Sequence, residues 1–306
     1  MKRKDILGIK DLTRAEINEI LSTANVMRDM IDRGEKSNAL RGKNVTTLFY
    51  ENSTRTRNSF ETAAKNLGAT TTSITVANSS VQKGESLVDT GMTLDALGTD
   101  VIVIRHSVAG SCRLLAETVK ASVINSGDGM NEHPSQALLD GLTARRHFGS
   151  LDGKKVVIVG DIKHSRVARS DTLLFGMLGA NVTVCAPYSL LPCGIDGLGC
   201  DVETNFDKAL VGANIVLPLR VQKERLDAAY FSTQEEYHEY YGVTQKRLEL
   251  CGDDFIVMHP GPINRGSEIA GDVADGKDSL ILEQVTNGVA VRMAMLDLLV
   301  NGDNRL

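Results

Sequence analysis

Clusters of guanidinium, hydroxyl and imidazole side chains recur along this sequence, each directly after a stretch that predicts a β-strand. The first is Ser53-Thr54-Arg55-Thr56-Arg57, which leads into an amphipathic helix predicted over 58–67. Hydroxyls, backbone N–H groups at a helix start and guanidinium groups together suit a phosphate-like anion. For a match this short taken alone, a Ser or Thr helix cap beside solvated arginines is an equally good explanation.

Three further clusters follow strands in the first half of the chain. Ser79 and Lys83 lie in a polar segment with a glycine, for which an ordinary surface loop is the favoured alternative. Arg105 ends an apolar strand, where a charge needs a partner or solvent. His133-Pro134-Ser135-Gln136 follows the fourth strand, and a neutral His can donate one hydrogen bond to a carbonyl oxygen. A lone His is nevertheless more often structural than catalytic.

The second half repeats this arrangement. Arg166 and Arg169 follow one strand and Arg220-Val221-Gln222 follows another, so that two arginines could clamp a dicarboxylate, although charge runs are commonly solvated faces. Gly261-Pro262 follows the last strand in a proline-rich turn that is otherwise explained as a strand stop. Seven clusters after seven strands are too regular for independent surface decoration. Because ligands bind beyond the carboxyl ends of parallel strands, the clusters jointly predict a binding site.

The elements that position these residues are short β-branched runs alternating with amphipathic segments. One series of strands is predicted over 45–50, 71–76, 101–105 and 122–125, and a second over 155–160, 181–186, 214–219 and 255–259. Such alternation is typical of α/β proteins with parallel sheets. We therefore expect two doubly wound parallel-sheet domains with the active site in the crevice between them.

The predicted domains are 1–132 and 133–287, with a C-terminal helix, 288–306, that packs back on the first. A helix predicted over 134–147 begins the second domain, and a capping box from Thr13 to Glu16 predicts an opening helix. The segment 40–45 weakly resembles 151–156, and the same offset carries Arg55 onto Arg166. Chance could produce so short a repeat, so it has little weight alone.

Composition narrows the class of protein. The 306 residues are 42% apolar and 24% charged, which is ordinary for a globular enzyme, and the net charge of -5 argues against a nucleic-acid partner. Neither a signal sequence nor a run of membrane-spanning length is apparent, so we expect a cytoplasmic protein without a membrane partner. Five cysteines without a C-x-x-C pair indicate neither a disulfide framework nor a zinc ribbon, and we expect buried thiols.

Several familiar cofactor and hydrolase motifs are missing from the sequence. It contains no phosphate-binding G-x-x-x-x-G-K-[ST], no dinucleotide G-x-G-x-x-G after a strand, no H-E-x-x-H and no G-x-S-x-G. We therefore expect no metal and no cofactor. Positive charges and hydrogen bonds then suit an acyl-type transfer in which the substrate supplies both the electrophile and a phosphate leaving group.

Three motifs resemble the signature of the aspartate and ornithine carbamoyltransferase family, and the resemblance spans essentially the whole chain. They are Ser53-Thr54-Arg55-Thr56-Arg57, His133-Pro134-x-Gln136 and Arg220-Val221-Gln222. The sequence is more similar to the aspartate enzymes, because the run 220–225 looks like their aspartate-binding loop. The ornithine enzymes carry a Ser-Met-Gly motif and a Cys in the segment matching 259–262, and neither occurs here.

The resemblance implies transfer of the carbamoyl group of carbamoyl phosphate to L-aspartate, in pyrimidine biosynthesis. Four residues are implied as catalytic: Arg55, Thr56, Arg105 and His133. Carbamoyl phosphate is implied to contact Ser53, Thr54, Arg55, Thr56, Ser79, Lys83, Arg105, His133, Gln136, Gly261 and Pro262. Within this set, Gln136 is implied to contact the carbamoyl amide, and the Gly261-Pro262 carbonyl region to lie near the carbamoyl nitrogen.

The resemblance also implies how aspartate is held and how chains assemble. The expected aspartate ligands are Lys83, Arg166, Arg220 and Gln222. Ser79 and Lys83 are expected to come from a neighbouring subunit of a homotrimer with shared active sites, and the sequence leaves open a regulatory chain or a dihydroorotase as partner. Three positions depart from the commoner pattern, at Gly261, at Pro218-Leu219 and at Glu132, which puts affinity and pH dependence in doubt.

Two alternatives stay open. A carbamoyltransferase for another amine, such as ornithine, should lack Arg220 and Gln222, which are present. A catalytically silent assembly partner should have lost several of Arg55, Arg105, His133 and Lys83, and all four remain.

Overall fold

The computed structural model describes residues 1–75, 84–220 and 234–302. The chain divides into two compact units: Met1–Leu142 with Thr286–Leu306 forms unit 1, and Thr143–Val285 forms unit 2. The first division falls inside a helix that the sequence prediction assigned wholly to the second domain, and the domain bounds of 132 and 133 stay a prediction. Three predicted site residues, Ser79, Lys83 and Gln222, lie outside the described residues.

Unit 1 is built on a four-stranded parallel sheet in the order β2-β1-β3-β4. Its elements up to the helix that contains the division are α1 (Arg14–Asp32), β1 (Asn44–Phe49), α2 (Thr54–Asn66), β2 (Thr70–Thr75), α3 (Leu87–Ala96), β3 (Val101–His106), α4 (Ser111–Thr118), β4 (Ser122–Asp128) and α5 (Pro134–Phe148). All four predicted strands are confirmed to within a few residues. The sheet is apolar where it is covered, with Leu48, Ile102 and Val123 fully buried.

Local sequence explains how two of these helices begin and end. At the start of α1, Thr13 Oγ1 accepts the Glu16 N–H while the Glu16 carboxylate accepts the Thr13 N–H, so the predicted capping box is confirmed. Helix α2 begins at Thr54, earlier than the predicted residue 58, and ends before Gly68, whose φ of 79° suits glycine.

Unit 2 contains a five-stranded parallel sheet in the order β7-β6-β5-β8-β9. Its elements are β5 (Lys155–Val159), α6 (Arg166–Met177), β6 (Asn181–Cys185), β7 (Asp201–Glu203), α7 (Phe206–Leu210), β8 (Ile215–Pro218), α8 (Gln234–Tyr241), α9 (Gln245–Leu248), β9 (Ile256–Val257) and α10 (Gly271–Ala274). The four predicted strands are again present, although β9 is shorter than predicted. The two parallel-sheet α/β domains of the predicted fold class are thus confirmed.

The last helix, α11 (Ile281–Asn301), joins unit 1 from Thr286 onward. Arg28 Nη1 on α1 donates to Asn287 Oδ1 at 2.6 Å, and Arg292 Nη1 donates to Ser59 Oγ on α2 at 2.9 Å. These contacts connect the end of the chain to the helices of the first sheet.

The five cysteines differ in their exposure. Cys112 and Cys185 are buried, but Cys193 is exposed and Cys200 and Cys251 are partly exposed, so the prediction of uniformly buried thiols is wrong. Within the described ranges, no helix combines the length and the apolar character needed to cross a membrane.

Candidate active site

The start of α2 has a serine at the N-cap position but, unlike five other helix starts in the described part of the chain, no side-chain cap. Five helices are preceded by a side chain that accepts a first-turn N–H group: Thr13, Ser86, Ser165, Asn205 and Thr244. Ser53 occupies the same position before α2 but makes no such bond, and its Oγ instead accepts from Arg105 Nη1 at 3.2 Å. The N-terminal N–H groups of α2 are therefore not covered by their own cap, which suits an anion.

Arg105 brings the ends of β1 and β3 together. The parallel register pairs Phe49 with Arg105, and the Arg105 Nε lies 3.2 Å from Glu51 Oε2. Both side chains are about one-fifth exposed, at 18% and 21%. Glu51 thus supplies the partner that a charge at the end of an apolar strand requires, and it holds the guanidinium beside Ser53.

The other predicted phosphate ligands have different surroundings. Thr54 and Arg55 are exposed on the first turn of α2, whereas Thr56 is buried. Arg57 turns toward β2, where its Nη1 donates to Thr75 Oγ1 at 3.0 Å. Arg55 is thus exposed in the first turn of α2, and the guanidinium of Arg105 contacts the N-cap residue Ser53.

His133 lies between β4 and α5, in a loop organised by the buried carboxylate of Asp128. That carboxylate accepts from the Gly110 N–H at 2.8 Å and from the Glu132 N–H at 3.2 Å. Glu132 in turn accepts from the Ile9 N–H at 2.6 Å. The residue before His133 is thus fixed on both its backbone and its side chain, which restricts the position of the imidazole.

Gly129 allows this loop to lie close to the chain after β3. A Cβ there would come within 2.8 Å of the Ala109 backbone nitrogen and 2.9 Å of the Ser107 carbonyl oxygen, and the φ of 53° also favours glycine. His133 itself is 4% exposed, with its Nδ1 3.4 Å from Ser135 Oγ. The imidazole is therefore nearly buried beside the carboxyl end of the sheet.

Sheet order explains why these residues meet. Strands β1, β3 and β4 are neighbours, with Ile104 paired to Asn125 and His106 to Asp128. Their carboxyl ends therefore place the first turn of α2, Arg105 and His133 along one edge. His106 contributes little charge here, because burial lowers its pKa below the ordinary value despite the nearby carboxylates of Glu51 and Asp128. The cationic groups are those of the arginines.

In unit 2, Arg166 and Arg220 follow neighbouring strands. Arg166 begins α6 after β5, Arg220 comes two residues after β8, and the two strands pair through Val159 and Pro218. Gly160, directly after β5, lets the chain lie close to Leu219 after β8, because a Cβ at Gly160 would meet Leu219 Cβ at 3.1 Å. Two guanidinium-bearing residues at adjacent strand ends are an arrangement that can bind carboxylates.

The loop containing Gly261 and Pro262 follows β9 and is held by a buried pair that sequence reasoning missed. His259 Nδ1 accepts from the Gly261 N–H at 2.7 Å, so its proton lies on Nε2, 3.2 Å from Glu268 Oε1. Neither side chain of the pair is exposed. His259 and Glu268 are nine residues apart in the sequence, a spacing that does not reveal the contact.

Comparisons with known proteins concern both units. The family model described as aspartate/ornithine carbamoyltransferase, carbamoyl-P binding domain, matches residues 4–146, and the Asp/Orn binding domain of the same family matches residues 152–299. The aspartate carbamoyltransferase catalytic subunit of Acetivibrio thermocellus is 53% identical over 305 residues, which are 99% of this chain and 98% of that protein. The corresponding subunit of Moorella thermoacetica is 54% identical over 305 residues, 99% of each chain.

Solved structures of two related enzymes are similar over nearly the whole chain. Aspartate transcarbamoylase from Trypanosoma cruzi, in complex with N-(phosphonacetyl)-L-aspartic acid, has a TM-score of 0.87 at 32% identity and covers 96% of this chain and 95% of its own. Ornithine carbamoyltransferase from Pyrococcus furiosus has a TM-score of 0.88 at 28% identity, covering 98% and 97%. Because the TM-scores are nearly equal, the fold does not separate the two acceptors, and sequence identity must do so.

Proposed function

The chain belongs to the aspartate/ornithine carbamoyltransferase family, and on that premise we propose that it transfers the carbamoyl group of carbamoyl phosphate to L-aspartate. The products are N-carbamoyl-L-aspartate and phosphate, and the reaction belongs to pyrimidine biosynthesis. Identity favours aspartate over ornithine, at 53% to a catalytic subunit of the aspartate enzyme against 28% to the ornithine enzyme. The uncapped start of α2 with Arg105 on Ser53 is the observation that carries the donor side of the proposal.

The phosphate group binds at the start of α2. Ser53, Thr54 and Thr56 offer hydroxyl and backbone donors there, and Arg55 adds a second guanidinium to that of Arg105. The helix end itself carries a partial positive charge. These groups stabilise the phosphate as it leaves with the electron pair of the broken C–O bond.

Arg105, His133 and Thr56 polarise the carbamoyl oxygen. Negative charge develops on this oxygen when the uncharged amine of aspartate attacks the carbonyl carbon, and each well-placed donor to it contributes about a hundredfold or more in rate. When the C–N bond has formed and the C–O bond breaks, the extra proton on the nitrogen passes to the departing phosphate. Fixing His133 between Asp128 and Pro134 reduces the reorganisation that this step requires.

Aspartate is held through its carboxylates by Arg166 and Arg220. Their positions after paired strands, described above, support this assignment. Resemblance alone supports the roles of Ser79, Lys83 and Gln222, and of Gly261-Pro262 beside the carbamoyl nitrogen. The homotrimer with shared sites and the cytoplasmic location are proposed on the same basis, and a regulatory chain or dihydroorotase partner stays open.

The test is a product assay on the purified full chain with carbamoyl phosphate and either aspartate or ornithine. We expect carbamoyl-aspartate to form and carbamoyl-ornithine not to form. Arg105→Ala should lower turnover about a hundredfold or more, because it removes a donor from both the phosphate and the carbamoyl oxygen. Arg57→Ala removes a nearby arginine that contacts Thr75 instead, and it should have a much smaller effect. Turnover with ornithine alone, or with neither amine, would contradict the proposal.

A further inference from the structure

The side-chain amide of Gln136 has a fixed orientation. On α5, Gln136 Nε2 lies 3.1 Å from Asp140 Oδ1 and 3.1 Å from Asp140 Oδ2, one helical turn away. An ionised carboxylate only accepts hydrogen bonds, so it selects the NH2 group of the amide as its neighbour. The Gln136 Oε1 atom, which is an acceptor, is then left to meet a ligand.

Asp140 is completely buried, and its charge has a counterpart on the last helix. Arg292 on α11 is 4% exposed, donates to Ser59 Oγ and lies over the Phe60 ring at 5.0 Å. Burial lowers the pKa of Arg292 to about 10, and attraction to Asp140 opposes that shift. Arg292 therefore stays charged at neutral pH, and its positive charge attracts the Asp140 carboxylate.

The packing of α11 on α5 leaves room for this arginine. A Cβ at Gly288 would come within 2.5 Å of Arg292 Nη1 and 3.1 Å of Leu139 Cδ2. Glycine at this position thus leaves space for the Arg292 guanidinium and for Leu139 of α5. Arg292 on the last helix thus acts electrostatically on Asp140, which in turn contacts Gln136 of the proposed donor site.

We propose that Asp140 is a positioning residue that makes Gln136 an acceptor, and thereby selects an acyl phosphate whose acyl group bears an N–H. This inference rests on the proposed function and deepens it. Carbamoyl phosphate has an NH2 group that can donate to Gln136 Oε1. Acetyl phosphate has nearly the same shape but presents a methyl group there, which leaves the acceptor without a donor.

The experiment measures discrimination between these two compounds by the full chain. The Michaelis constant for carbamoyl phosphate and the inhibition constant of acetyl phosphate against it are determined with saturating aspartate. Asp140→Asn lets the Gln136 amide take either orientation, because an Asn side chain both donates and accepts. We expect the Michaelis constant for carbamoyl phosphate to rise about tenfold and the inhibition constant of acetyl phosphate to change little.

Further variants separate the orientation of the Gln136 amide from a general loss of structure. The discrimination ratio is the inhibition constant of acetyl phosphate divided by the Michaelis constant for carbamoyl phosphate. Asp297→Asn makes the same change at another buried carboxylate of unit 1, on α11, and should leave this ratio unchanged. Gln136→Ala should lower the ratio, and adding Asp140→Asn to it should lower it no further, because Asp140 acts through Gln136. If Asp140→Asn does not fold by circular dichroism, Asp140→Ser replaces it with the same expectation.

An unchanged ratio in the folded Asp140 variant, with Gln136→Ala lowering it, overturns the role of Asp140 and leaves the proposed function standing. Full additivity of the two substitutions overturns it as well. Absence of aspartate-dependent turnover in the unmodified chain overturns the proposed function and this inference together.

Discussion

The starts of α2 and α6 occupy matching places in the two units but differ in their N-terminal caps. Each follows the first strand of its sheet, has a serine at the N-cap and carries an arginine in its first turn. Ser165 Oγ accepts the Ala168 N–H at 3.1 Å and closes α6, whereas Ser53 Oγ accepts from Arg105 and leaves the first turn of α2 uncapped. Arg105, at the end of a neighbouring strand, thus engages the serine that would otherwise cap α2, and we propose that the uncapped turn is an anion site.

The difference agrees with the ligand that each unit is proposed to bind. A phosphate can use several converging N–H groups at a helix end, as at α2. The carboxylates of aspartate need a pair of guanidinium groups more than an open helix, and Arg166 and Arg220 are the pair that we propose for them. Disrupting the start of α2 should therefore weaken the use of carbamoyl phosphate, and disrupting the arginine pair should weaken the binding of aspartate.

The largest expected effect comes from the two arginines that the short sequence repeat aligned. Arg55→Ala should lower kcat/KM for carbamoyl phosphate about a hundredfold, because a charged donor to the phosphate is lost. Arg166→Ala should instead raise the KM for aspartate and leave the KM for carbamoyl phosphate near its original value. Steady-state kinetics with each substrate varied in turn make the distinction. If both variants weakened the same substrate, the assignment of the two helix starts would be wrong.

A smaller effect distinguishes the two serines. Ser165→Ala removes a helix cap and should lower the free energy of unfolding by about 1 kcal/mol. Ser53→Ala removes no cap, so it should leave stability nearly unchanged while weakening carbamoyl phosphate binding by about tenfold. Urea unfolding and kinetics on both variants test this crossed pattern. Equal loss of stability in the two variants would show that α2 is capped like α6.

The smallest effect concerns α1, whose cap carries a charge that α2 lacks. Hydrogen bonding from Arg3, opposed by burial and supported by Thr13, lowers the pKa of Glu16 from 4.5 to about 2. Its contribution to stability is therefore present above pH 4.5 and is lost as pH falls toward 2. Glu16→Gln should be less stable by under about 1 kcal/mol at pH 7. The difference in urea midpoint should narrow between pH 4.5 and 2; a constant difference would contradict the assignment.

Sequence patterns were sufficient for the strands and for the residues beyond them. The β-branched runs predicted both sheets, and the residues after them include Arg105, Arg166 and Arg220 at the expected strand ends. The early start of α2 was missed because its first turn, 54–57, has no apolar residue and so gives no helical periodicity. The three-residue strand β7 was not predicted for a similar reason, because it contains no apolar run.

Contacts between distant parts of the chain could not be predicted in the same way. The capping box of α1 was found because its partners are three residues apart. Arg292 and Asp140 lie far apart in sequence, and only the packing of α11 on α5 brings them into electrostatic contact. The Asp128 carboxylate likewise organises the loop before His133 through a bond to Gly110 that no spacing rule suggests.

The most direct measurement is calorimetric titration of N-(phosphonacetyl)-L-aspartic acid, the compound bound in the Trypanosoma cruzi structure, into the full chain. It joins a phosphonate group to aspartate and so engages both proposed ligand sets at once. We expect saturable binding that competes with inorganic phosphate and is greatly weakened in Arg55→Ala and in Arg166→Ala. No detectable binding, or binding that neither substitution weakens, would contradict transfer from carbamoyl phosphate to aspartate by these residues.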